Sequence, residues 1–129
     1  MDLTHRYAFP DRFVSGAIGE PERRVFFVQA RQGSRMTNVV CERQQIKVLA
    51  EHLERVLDEL ERAGGLSRER SGRRNLPFDS DPLDVPLDED FHAGTMTIAW
   101  LSETESLRIE LYALGVYHEF VLLGGNPAV

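Results

Sequence analysis

The sequence is short of cysteine, of long apolar runs and of positive charge, and each shortage excludes a class of protein. Cys41 is its one cysteine. A lone thiol closes no disulfide within the chain and builds no multi-thiolate zinc site. No apolar stretch approaches the roughly 18 residues that cross a bilayer, and Met1-Asp2-Leu3-Thr4-His5-Arg6 lacks the apolar core of a secretion signal. A cytoplasmic protein without membrane contact is the expectation. The formal net charge of −6 argues against broad electrostatic attachment to nucleic acid or anionic lipid and leaves only a local basic patch for such a role.

Catalytic and ligand motifs are equally scarce. His5, His52, His92 and His118 show no His-x-x-x-His spacing, so no metal site is expected, and no cofactor either. Gly16-Ala17-Ile18-Gly19 is not followed by a helix pattern, and Gly64-Gly65 follows one instead of preceding it. Neither makes a phosphate cradle. No Gly-x-Ser-x-Gly elbow is present. Cys41 ends an apolar strand pattern, where a free cysteine is usually a core residue and not a nucleophile.

What is present is periodic. With 42% hydrophobic and 28% charged residues over 129 positions, the chain reads as one globular α+β domain, 1–129. Its three stretches are a first β-β-β-α unit (1–65), a charged, proline-containing linker (66–90) and a second β-β-β unit (91–129). The long amphipathic helix is predicted over Glu42 to Ala63, where Ile46, Leu49, Leu53, Val56, Leu57 and Leu60 recur on one face. Gly64-Gly65 stops it, since glycine takes the left-handed conformation past a last turn. Strands are predicted at Phe13 to Ile18, Arg24 to Ala30 and Met36 to Cys41, with an edge strand through Leu3, His5, Tyr7 and Phe9. Arg24 to Ala30 is apolar on both faces and therefore interior. Thr95 to Trp100, Leu107 to Ala113 and Tyr117 to Leu123 give the second set, with a turn at Gly115.

The halves look alike. Phe13 to Gly16 matches Phe91 to Gly94, Arg24 to Ala30 matches Leu107 to Ala113, and Met36 to Glu42 matches Tyr117 to Leu123. The second unit lacks its helix. One helix covers only part of such antiparallel sheet, so the remainder calls for the linker, a second copy or a protein partner. A homodimer burying the uncovered face is the expectation. In the linker, Asp79, Asp81, Asp84, Asp88, Glu89 and Asp90 lack the spacing of a calcium loop and read as solvated; Arg68, Arg70, Arg73 and Arg74 form their basic counterpart.

Several ordered stretches carry a family resemblance. They are Pro10-Asp11-Arg12-Phe13-Val14-Ser15-Gly16, Arg23-Arg24-Val25-Phe26-Phe27-Val28-Gln29-Ala30, and Val39-Val40-Cys41-Glu42-Arg43-Gln44-Gln45 leading into Leu49-Ala50-Glu51-His52-Leu53. Pro82-Leu83-Asp84-Val85-Pro86 and Phe91-His92-Ala93-Gly94-Thr95-Met96-Thr97-Ile98-Ala99-Trp100 follow. Over residues 9 to 113 the chain resembles an actinobacterial domain-of-unknown-function family. Longer members end in a further helix and a zinc-ribbon-like Cys-x-x-Cys segment. The present sequence stops at Gly124-Gly125-Asn126-Pro127-Ala128-Val129, so no metal residue carries over and no activity is implied.

The function expected from the sequence is therefore a non-enzymatic binding or assembly module. The alternatives are a nucleic-acid-associated protein using Arg23, Arg24, Arg31 and Arg35 at the ends of one hairpin, and a small enzyme using Cys41 or His92 with the linker acids.

Overall fold

The computed structural model describes residues 5–64, 79–113 and 116–122. Leu3, Gly65, residues 66–78 with their four arginines, Gly115, Leu123 and the final six residues lie outside the described residues, as does the side chain of His118.

The order of elements is β1 (Arg6–Ala8), β2 (Arg12–Ile18), a single 3-10 turn (Pro21–Arg23), β3 (Val25–Gln32), β4 (Arg35–Cys41), α1 (Arg43–Arg62), β5 (Phe91–His92), β6 (Met96–Leu101), β7 (Ser106–Ala113) and β8 (Val116–Leu122). The fold is α+β, mostly antiparallel, with the helix and strands in the predicted places. No helix among the described residues is long and apolar enough to cross a membrane.

Two four-stranded sheets form, in the orders β2-β3-β4-β5 and β1-β8-β7-β6. Each is an antiparallel meander with one short strand added in parallel, and that strand comes from the other half. β1 lies against β8, and β5 lies against β4. The halves therefore interlock by exchanging their first strands.

The registers of the two sheets correspond. Phe26 opposite Cys41 answers to Leu107 opposite Leu122, and Phe91 beside Val39 answers to Tyr7 beside Phe120. This corrects the alignment read from sequence. Phe91-His92 is the counterpart of Tyr7-Ala8, not of Phe13-Val14, and β2 corresponds to β6. Both correct partners are short edge strands before a meander, and the Phe and Gly that Phe13 to Gly16 shares with Phe91 to Gly94 stand at non-equivalent positions of the two sheets. The predicted edge strand is real, but its partner lies in the other half of the chain.

One apolar cluster joins the layers. Tyr7, Val28, Ala30, Val39, Cys41, Leu49, Ile109 and Leu111 are buried together, with Phe13, Ile46, Leu53, Phe91, Met96 and Ile98 packed around them. The inward faces of both sheets and one seam of α1 thus share a core. Glu42 starts α1 with a capping box: its backbone N–H donates to Gln45 Oε1 at 2.7 Å. The Gln45 amide also donates to the carbonyls of Ala93 and Gly94, both at 3.0 Å, which ties the helix start to the chain between β5 and β6. Gly64, with φ +71°, supplies the expected left-handed stop.

Candidate functional site

The densest polar constellation lies on the first sheet's outer face. Strand alternation puts Arg12, Val14 and Gly16 of β2 beside Arg31, Gln29 and Phe27 of β3, with Met36, Asn38 and Val40 of β4 beyond. The opposite face carries the core residues Val28, Ala30 and Val39. Residues 79–90 cross the outer face as an irregular strap from β2 toward β4 and then become β5.

Arg12 is the anchor. Its Nε donates to Asp79 Oδ2 at 2.7 Å and its Nη2 to Asp79 Oδ1 at 3.0 Å, a fork-on-carboxylate pair. Nη1 reaches the Pro82 carbonyl at 3.0 Å and Asp84 Oδ2 at 3.2 Å, while Nη2 reaches the Asp81 carbonyl at 2.9 Å. Arg31 Nε adds a second donor to Asp84 Oδ2 at 3.0 Å. The bond from Arg12 holds the Asp79 carboxyl below the usual carboxylate range, and the same bond raises the guanidinium further above its already high value.

The next layer reads backbone. Gln29 and Asn38 are almost fully buried. Gln29 Nε2 donates to the Asp84 carbonyl and Gln29 Oε1 accepts the Asp84 N–H, both at 2.9 Å. Gln29 Nε2 also donates to Asn38 Oδ1 at 2.7 Å, which orients Asn38 Nδ2 toward the Pro86 carbonyl at 3.2 Å. Asp90 closes the strap by accepting the Asn38 N–H at 2.7 Å and donating its own N–H to the Asn38 carbonyl at 3.0 Å. Leu83 provides the apolar contact. A Cβ at Gly16 would stand 2.8 Å from Leu83 Cγ, so the missing side chain makes its seat.

These bonds correct the picture of a solvated acidic linker. Asp79, Asp84 and Asp90 are fixed to the sheet because arginine forks and unmet strand groups await them. Asp81 gives its carbonyl to Arg12, and Glu89 stands 3.4 Å from exposed His92.

A second polar chain links the two sheets. The Tyr7 hydroxyl and Thr37 Oγ1 share a 2.8 Å hydrogen bond, and Thr37 Oγ1 lies 3.2 Å from His5 Nδ1. Arg35 stacks on the Tyr7 ring at 4.1 Å. Burial pushes the Tyr7 phenol up, so it stays neutral. Thr37 and Tyr7 are both closed to solvent, which makes this chain a tie between layers.

The four hairpin arginines do not form one patch. Arg23 and Arg24 are exposed at one end of β3, and Arg31 and Arg35 lie roughly 20 Å away at about 3.3 Å per residue. Arg31 is bound to Asp84 and Arg35 to Tyr7 and Gln32. Cys41 is buried in the core, and burial pushes its thiol up to about 11. His52 is exposed on α1. Among the described residues no group of three or more His, Cys, Asp or Glu side chains stands close enough to hold a metal ion.

The sequence reading missed Arg12, Gln29 and Asn38. The available signal was two amides inside otherwise apolar strands, where a buried polar group demands a partner.

A groove opens on the other side of the first sheet, between α1 and β2. It encloses about 170 Å³ and is lined by Phe13, Val14, Val28, Ile46, Leu49 and Leu53, with Ser15 and Ala50. Only Leu49 of the helix seam is buried; Ile46, Leu53, Val56, Leu57 and Leu60 are half-buried and Val48 is half exposed.

Among the described residues, a strapped sheet, an interlocked second sheet and one helix with a partly covered apolar seam define a small α+β protein. The chain belongs to the family described as protein of unknown function (DUF3090), whose family model matches residues 5–119. No curated protein and no solved structure matches it.

Proposed function

We propose that this protein is a binding or assembly module and that it pairs with a second copy through the α1 seam and the neighbouring edge of β2. The observation that carries this reading is the seam itself. Leu53, Val56, Leu57 and Leu60 continue the apolar stripe of α1 beyond Leu49, yet the chain's own sheets cover them only in part. The adjoining groove is lined by apolar side chains and one hydroxyl, a surface suited to packing. A homodimer is favoured because each copy offers the other the same partly covered seam, and the half-buried Met96, Ile98 and Trp100 of the second sheet leave further apolar surface to bury.

A nucleic-acid role has less support. It would rest on Arg23 and Arg24 beside Glu20 and Glu22, since Arg31 and Arg35 are held by other contacts. Sedimentation equilibrium tests the proposal. The wild-type chain is expected to dimerise, and Leu57→Lys combined with Leu60→Lys is expected to give a folded monomer. A wild-type chain that stays monomeric at high concentration overturns self-association.

A further inference from the structure

We infer that the outer face of the first sheet is a recognition groove for an acidic, proline-containing peptide of a partner protein, with residues 79–90 of the same chain as its resident occupant. This face lies opposite the helix seam, so the inference goes beyond the proposed self-association and stands without it.

The contacts have the form of peptide recognition. Four carbonyls of the strap (Asp81, Pro82, Asp84 and Pro86) and the Asp84 N–H are met by side chains of the sheet, not by strand pairing. Backbone bonds of this kind are available to any segment of the right shape. Selectivity comes from the side chains. Arg12 and Arg31 demand carboxylates at the positions of Asp79 and Asp84, and the space left by Gly16 accepts a leucine between them. The Gln29 amide is also held by Asn38, which fixes its orientation toward the strap.

The repeat supplies an internal comparison. At the corresponding positions of the second sheet, Glu110 replaces Gln29, Tyr112 replaces Arg31, Thr95 replaces Arg12 and Ala99 replaces Gly16. There Glu110 accepts a hydrogen bond from Thr97 at 2.7 Å, and a carboxylate at the reading position repels an acidic segment. The reading set is thus particular to one face and does not follow from the shared topology.

A tethered occupant competes at an effective concentration in the millimolar range. A free peptide therefore binds the wild-type chain weakly and gains when the strap's own anchors are removed. The probe is a fluorescent synthetic peptide with the sequence of residues 79–90, added to the full chain and followed by anisotropy. Asp79→Asn, Leu83→Ser and Asp84→Asn together release the strap and are expected to tighten peptide binding at least about tenfold over wild type. Adding Arg12→Ala is expected to abolish the gain, as is a peptide carrying asparagine for both aspartates. Equal, weak binding by wild type and a folded triple variant overturns the inference. If the triple variant does not fold, millimolar peptide added to the wild type must raise hydrogen exchange at the Asp84 amide, and an unchanged rate there overturns the inference as well.

Discussion

Gln29 and Asn38 occupy buried positions where valine or isoleucine would cost nothing in desolvation, and each meets partners on the strap. Two residue-scale predictions follow from such environments. Asp79 is held below its ordinary value near 3.9, so its pairing with Arg12 stabilises the strap fully above that value. The contribution is lost as pH falls through the lower folded value. Strap attachment followed by hydrogen exchange is expected to weaken below about pH 4, whereas an Asp79→Asn variant starts weaker and loses the corresponding pH dependence. Cys41, buried and raised to about 11, is expected to resist a disulfide reagent at neutral pH in the folded chain and to react at once in denaturant. Rapid labelling of the folded protein would contradict its place in the core.

At the scale of elements, α1 tests the packing. Leu49 is the buried residue of the seam, so Leu49→Ala is expected to cost about 2–5 kcal/mol in chemical denaturation. Leu53→Ala is expected to cost less, because Leu53 is only half-buried. Sequence periodicity alone would rank the two equally. Gln45→Ala removes the cap and both bonds to the β5–β6 connection, and is expected to destabilise by about 1 kcal/mol or more.

The helix and the strand positions were legible because each follows from a local period: 3.6 for Ile46 to Leu60 and 2 for Thr95 to Trp100. Strand exchange was not legible. Tyr7 and Phe91 join their sheets through partners far away in sequence, and no local pattern encodes a parallel partner. The strap was missed for a related reason. Asp79, Asp84 and Asp90 look like solvated acids until Arg12, Arg31 and the Asn38 amide are brought to them by β2, β3 and β4.

At the scale of the whole molecule, two corresponding sheets are locked by exchanged strands, joined by the Tyr7–Thr37 bond and covered on one outer face by the strap. The exchange makes the halves interdependent. Breaking the inter-sheet tie with Tyr7→Phe is expected to lower the midpoint of a single cooperative unfolding transition, and two resolved transitions would contradict interlocking. The first sheet's outer face is closed by residues 79–90. Residue-resolved hydrogen exchange on the full chain measures this directly. The Asp84 and Asp90 amides, bonded to Gln29 and to the Asn38 carbonyl, are expected to be protected well beyond free-chain rates and to lose that protection in Arg12→Ala. Exchange of both amides at free-chain rates in the wild-type protein would contradict it.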